Sequence, residues 1–219
     1  MARILITSGP TRQYLDPVRY LTNASSGRMG AALAAAALAR HHDVIIVSGP
    51  VAVEYPAAAR VVDVDTTDDM LRAAAAEFPR CDGLIGAAAP CDYRPRKVSE
   101  QKIAKSGQPL LLELVETDDI VATIAKHKTA NQWVVGFALE TEDQRFRAIV
   151  KMQRKCCDMM VSNNVSAINS LSNDVEILAA DGTTIARATG DKQLVADAIL
   201  AAIDQRLIAG GRNVGFHNQ

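Results

Sequence analysis

Residues 7–30 read TSGPTRQYLDPVRYLTNASSGRMG, and together with their flanks they decide the fold. The apolar run Ile4, Leu5, Ile6 before them reads as a buried strand, and GAALAAAALAR at 30–40 after them is almost pure helix former. Strand, small-residue loop and helix together aim backbone N–H groups and a helix N-terminus at an anion. The loop at 23–27 suits this, because Ser25 and Ser26 supply hydroxyls, Gly27 removes a side chain and Arg28 adds charge. The same serines are equally good N-caps for an ordinary helix that binds nothing.

Outward from this stretch, strand and helix alternate. Residues 44–47 are β-branched and stop at the turn signal Ser48-Gly49-Pro50, and residues 60–64 read as a third strand. Thr67 can cap a helix over 68–78 whose first turn carries Asp68 and Asp69, where the dipole favours acids. Strands are expected at 83–88, 110–115, 133–137 and 159–161, and helices at 120–128 and 142–155. This alternation predicts an α/β fold, a doubly wound, Rossmann-like and mostly parallel sheet. The pattern then changes. Residues 175–178 and 183–186 flank Ala-Ala-Asp-Gly, predicting a C-terminal β-hairpin (element 173–188) that turns at Asp181-Gly182, followed by a final helix over 191–207. The reading is one domain over 1–208, with 163–172 as a connector and 209–219 as a frayed tail.

The chain has 219 residues, 48% hydrophobic and 22% charged, which is a globular composition with room for a real core. A net charge of −1 gives no electrostatic case for a nucleic acid or an anionic membrane surface, and no stretch is long and apolar enough for a transmembrane helix or a secretory leader. A cytoplasmic location is expected. Cys81, Cys91, Cys156 and Cys157 match neither paired zinc ligands nor a disulfide framework, so buried free thiols are expected. Cys91 lies in a candidate site loop and is a conceivable nucleophile, although small apolar packing is the commoner role.

In open α/β sheets ligands bind beyond the carboxyl ends of the strands, here residues 8–11, 48–50, 87–93, 140–142 and Asn163. A dinucleotide is disfavoured. No G-x-G-x-x-G follows the first strand, and the second ends in Ser48-Gly49 rather than in an acid for a ribose hydroxyl. Residues 87–105, AAAPCDYRPRKVSEQKIAK, place three alanines at a strand end, where a flat ligand can approach the backbone, then Asp92 and a cationic loop ending in Lys102 and Lys105. Such lysines can close over a triphosphate, or can equally be a solvated basic loop. Lys151 and Lys155 lie one helical turn apart, a spacing common on surface helices without any ligand.

Taken together and in order, SGPTRQYLDPVRYLTNASSGRMG, AAAPCDYRP, QKIAK, DDIV, GFALET and the K-x-x-x-K before CDMMVSNN resemble the phosphopantothenate–cysteine ligases (phosphopantothenoylcysteine synthetases) over about residues 4–203. The resemblance implies a ligase of coenzyme A biosynthesis. In its reaction 4′-phosphopantothenate is activated by a nucleotide, CTP rather than ATP, to an acyl-nucleotide that L-cysteine attacks. The family domain often follows a flavin-dependent decarboxylase; none precedes Met1, so a stand-alone ligase without FMN is expected, with Mg²⁺ accompanying the nucleotide. The resemblance also implies a homodimer with the hairpin at its interface. The competing reading is a catalytically silent nucleotide-binding dimerisation module of the same fold.

By the same resemblance Asn23 and Lys102 are the catalytic residues, and Arg19, Asn23 and Ala88 meet phosphopantothenate. Ser25, Ser26, Gly27, Gly86, Ala87, Ala88, Asp92, Asp118, Asp119, Ile120, Val121 and Phe137 hold the nucleotide, with Lys102, Lys151 and Lys155 on its triphosphate; no metal ligand is implied. The chain departs from the family pattern at Gln13, where Glu is common, at Thr117-Asp118, where Asn-Pro is common, and at Leu139, where Ala is usual. An extra acid at Asp118 bears directly on base preference.

Overall fold

A computed structural model describes residues 1–140, 143–164 and 173–209. The chain opens with β1 (Arg3–Ser8), a ribbon of β2 (Arg12–Tyr14) and β3 (Tyr20–Thr22), α1 (Arg28–Ala39), β4 (Asp43–Ser48) and β5 (Arg60–Asp63). Next come α2 (Thr67–Glu77), β6 (Gly83–Gly86), β7 (Tyr93–Pro95), β8 (Leu114–Glu116), α3 (Ile120–Ala125), β9 (Trp133–Glu140) and α4 (Gln144–Arg154). It ends with β10 (Met159–Asn164), β11 (Asn173–Ala179), β12 (Thr184–Gly190) and α5 (Lys192–Ile203), whose last turn, Asp204–Ile208, widens to a π-helix.

Eight strands form one sheet in the order β12-β11-β10-β9-β6-β1-β4-β5. From β5 to β10 neighbours run parallel, and β11 and β12 are antiparallel additions at one edge. Ile4, Leu5 and Ile6 are all fully buried because helices cover both faces of β1. The alternation along each strand divides the core. Ile4, Ile6, Val135, Val161, Val175 and Ile177 pack against α1 and α5. Leu5, Leu84, Val134, Met160 and Leu178 pack against α2, α3 and α4. The sheet is thus doubly wound, as the alternation in sequence predicts.

Local signals hold with shifts of a residue or two. Thr66, not Thr67, caps α2, and it does so in a capping box with Asp69. The stretch 110–115, expected as a strand, is one only from Leu114, pairing with β7 outside the main sheet, while Leu110 and Leu111 are exposed. The hairpin closes as expected, with Gly182 N–H donating to Ala179 O at 2.8 Å. The expected connector beyond Asn164, the start of α4 at 142 and the tail beyond Ala209 lie outside the described residues.

At the amino ends of the strands the first and last elements meet. Ala2 N–H donates to Nδ1 of buried His42 at 3.1 Å, and His42 Nε2 lies 2.8 Å from Asp204 Oδ1 at the end of α5. Arg40 also reaches Asp204, at 3.4 Å, and Asp197, at 3.0 Å.

Candidate functional site

From β1 the chain moves to β4 and β5 on one side and then returns to place β6 on the other. Such a reversal opens a crevice at the carboxyl ends of the two central strands. Here the crevice floor is built from small residues. Gly27, at φ 74°, is the N-cap of α1 and offers no side-chain cap, so neither serine plays the capping role that was the plain alternative. Gly30 lies so close to β1 that a Cβ there would stand 2.0 Å from Ser8 Oγ. Ser8 is fully buried; its hydroxyl donates to Gly27 O at 3.3 Å and accepts from Tyr55 OH at 2.9 Å. This network fixes the start of α1, and with it the Asn23–Gly27 loop, over the crevice.

Asn23 joins that loop to the one after β6. Its Nδ2 donates to Ala89 O at 3.2 Å and to Pro90 O at 2.9 Å. The rest of the second loop hangs on buried groups: Cys91 N–H donates to Thr11 Oγ1 at 2.8 Å, and Thr67 and Thr117 hydroxyls both donate to Cys91 O. Burial raises the Cys91 thiol above its ordinary pKa, and its Sγ donates to Thr11 O. Cys91 is therefore a packing residue here, not an activated nucleophile. Burial likewise pushes Cys81 up to about 11 and Cys157 up to about 12, whereas Cys156 is exposed, contrary to the expectation of four buried thiols.

Two clefts share this floor. The first, about 550 Å³, is lined by residues 23–30, 87–90, Asp92, 137–139, Lys151, Lys155, Asn163, Asn173 and Lys192. The second, about 590 Å³, lies against α3 and is lined by Gly86, Ala88, Asp92, 116–122, Phe137, Arg154 and Lys155. They meet at Ala88, Pro90, Asp92, Phe137 and Lys155. Each is in the size range of a small-molecule site. At the junction Lys155 Nζ sits 2.9 Å from Asp119, the N-cap of α3. Burial pushes the Asp119 carboxyl up, but the Ala122 N–H and the Lys155 ammonium prevail and hold it below the usual range.

The expected residues fall into four groups. Asn23, Ser25, Ser26, Gly27, Ala87 and Lys151 line the first cleft, and Gly86, Asp118, Asp119, Ile120 and Val121 the second. Ala88, Asp92, Phe137 and Lys155 line both. Lys102 and Arg19 line neither. Arg19 instead pairs with fully buried Asp16 at 2.6 Å and donates to Ile103 O at 3.0 Å, while Ile103 N–H donates to Asp16 at 3.0 Å. Arg19 thus clasps the segment next to Lys102 rather than facing the clefts. Asn173 and Lys192 line the first cleft without any warning from the motifs. One polar residue opening a strand and one lysine opening a helix are indistinguishable in sequence from surface residues.

The fold and the site together define an α/β protein with a divided, lysine-lined crevice at the switch point of its sheet. The chain belongs to the DNA/pantothenate metabolism flavoprotein C-terminal domain family, whose model matches residues 1–207. Among relatives, the coenzyme A biosynthesis bifunctional protein CoaBC of Vibrio cholerae is 41% identical over 94% of this chain and 53% of its own length. That of Escherichia coli K12 is 39% identical over 93% and 52%. The chain therefore spans about half the length of the curated relatives it matches. Among solved structures, the C-terminal domain of a CoaBC protein superposes with a TM-score of 0.80 at 37% identity, covering 93% of this chain and 94% of that one. A Cab2 mutant solved with phosphopantothenate-cysteine shares the fold, with a TM-score of 0.76 at 15% identity over 93% of this chain and 86% of that one.

These comparisons correct the cofactor expectation. A reading without FMN conflicts with a family that carries flavoprotein in its name and with relatives of twice this span. The Mg²⁺ expectation gains no support either: among the described residues no group of three or more His, Cys, Asp or Glu side chains could hold a metal ion. No described helix is long and apolar enough to cross a membrane.

Proposed function

We propose that the chain joins 4′-phosphopantothenate to L-cysteine through an acyl-nucleotide, with CTP preferred over ATP. In the first step a carboxylate oxygen of phosphopantothenate attacks the α-phosphorus of the nucleotide, and the bond to pyrophosphate breaks. In the second, the cysteine amine attacks the acyl carbon, the carbon–oxygen bond to the nucleotide breaks, and the amine releases its proton. The observation that carries this reading is the junction of two clefts over one small-residue floor. A nucleotide base has the α3 cleft, with Asp118 to Val121, and a second substrate has the first, so the reacting carboxylate and phosphate meet where the clefts join. Two anions must be screened there; Lys151, Lys155 and the uncapped start of α1 supply positive charge for it. The names of the relatives and the ligand of the Cab2 structure agree with the substrates.

Asn23 holds the two floor loops together beside the acyl group, and Lys102 approaches the phosphates from its loop. The four free cysteines suit a cytoplasmic enzyme. β12, as an edge strand, offers the hairpin as a homodimer contact. The test is pyrophosphate release with phosphopantothenate and L-cysteine, run with CTP, ATP, GTP and UTP side by side. Release that needs phosphopantothenate, continues past one turnover only with L-cysteine and is fastest with CTP is expected. Nucleotide binding with no release under any condition would leave a silent binding module instead.

A further inference from the structure

One end of the first cleft carries groups with no assigned task. On β9, β10 and β11 the face toward α1 and α5 takes Val135, Val161 and Val175. The two-residue period puts Phe137, Asn163 and Asn173 on the same face, where the strands reach the cleft. The helices covering that face, α1 and α5, begin there with Arg28 and Lys192. Lys192 Nζ donates to Asn173 Oδ1 at 3.1 Å, and burial together with the charge of Arg28 lowers the lysine's pKa. Asn163 Oδ1 is buried and has no hydrogen-bond partner among the described residues.

These groups make opposite demands. Two cations call for an anion, while an unpartnered carbonyl oxygen calls for a donor. A polyphosphate would satisfy the cations and leave the oxygen facing more oxygen. A zwitterion satisfies both. We propose that this end of the cleft is an α-amino acid subsite, in which the ligand carboxylate pairs with Lys192 and Arg28 and its ammonium donates to Asn163 Oδ1. The identity of the amino acid, L-cysteine, rests on the ligase reading above. Bound there, it lines the same cleft as Asn23 and the Ser25–Gly27 loop, within reach of an activated acyl group.

The test uses the full chain and three thiols, L-cysteine, cysteamine without the carboxylate, and 3-mercaptopropionate without the amine, with binding followed by saturation-transfer NMR. Lys192→Met is expected to weaken L-cysteine about 10- to 100-fold, the loss of one charged hydrogen bond, and to leave cysteamine within about twofold. Asn163→Leu is expected to weaken L-cysteine and cysteamine alike and to spare 3-mercaptopropionate. Retention of binding in Lys192→Arg, with unchanged thermal melts, separates lost charge from lost structure. An L-cysteine affinity indifferent to Lys192→Met overturns the subsite, and so does a Lys192→Met effect confined to nucleotide affinity, which would give the cations to the polyphosphate. Pyrophosphate release keeps the two readings apart. A wild-type chain that binds L-cysteine through Lys192 without turnover sinks the ligase and leaves the subsite. Turnover whose KM for L-cysteine ignores both variants does the reverse.

Discussion

Gly30→Ala tests whether the crevice is set by the contact between α1 and β1. In an exposed helix interior this substitution stabilises by about 1 kcal/mol, because alanine is the better helix former. Here the new methyl would lie 2.0 Å from Ser8 Oγ and 2.5 Å from Ser8 Cβ. Ordinary contact begins near 3.4 Å, so the start of α1 must lift by about 1.4 Å or Ser8 must turn away. Overpacking of this kind costs about 1–3 kcal/mol. Displacing the buried Ser8 hydroxyl from Gly27 O and Tyr55 adds about 1–3 kcal/mol. The net expectation is a loss of about 1–5 kcal/mol, opposite in sign to the propensity term, read as a Tm fall of about 2–4 °C per kcal/mol for a chain of this length. Calorimetry gives that value, and titration with nucleotide should show weaker binding, because the Asn23–Gly27 loop moves with the helix. A double-mutant cycle with Ser8→Gly, which removes the clashing atoms, should show favourable coupling. A Gly30→Ala protein as stable as wild type, with undiminished nucleotide affinity, would refute the reasoning.

Three further outcomes are expected. Burial alone would raise the Asp16 carboxyl, but N–H donors from Ile103, Val18 and Arg19 and the Arg19 charge hold it at about 2, below its unfolded value of 3.8. Its stabilisation is therefore complete above the unfolded value and lost as pH falls toward 2, so the stability deficit of Asp16→Asn in denaturant melts should shrink between pH 5 and pH 2; a constant gap would refute it. Lys102→Gln should lower kcat about 10²–10³-fold on the ligase reading with an unchanged Tm, since the side chain is exposed, and unaltered turnover would return it to a solvated loop residue. Asn23→Asp would set a carboxylate oxygen against two carbonyl oxygens now bridged by the amide, so rapid quench should show slower formation of acyl-nucleotide; formation at the wild-type rate would place the amide outside the first step.

The parallel sheet was legible because its strands are short apolar runs closed by turn residues, and the period of two survives even where both faces are covered. Gly27 was legible as a loop position without a side chain, whereas the close approach of Gly30 to Ser8 was hidden at the head of a helix-forming run. The ribbons β2–β3 and β7–β8 were not legible, since Arg12-Gln13-Tyr14 and Tyr93-Arg94-Pro95 have no apolar period and are strands only by pairing with Tyr20–Thr22 and Leu114–Glu116 outside the main sheet. Arg19, which the resemblance sets toward phosphopantothenate, pairs here with buried Asp16, three residues away, a contact that no local pattern marks. Of the departures from the family pattern, Asp118 does face the α3 cleft and Leu139 the first cleft. Gln13 is buried, and its Nε2 has no hydrogen-bond partner among the described residues. Lys192 and Asn173 came from the far end of the chain, and no local pattern connects them to a loop near residue 25.

The bond from Ala2 to His42 and onward to Asp204 has an architectural consequence. It gathers the beginning of β1 and the end of α5 at the amino edge of the sheet, on the far side from the clefts. A segment attached at either of these points therefore departs from the edge of the sheet opposite the clefts. Relatives that carry two activities in one polypeptide, about half of it alignable here, are the kind of assembly such a modular attachment permits.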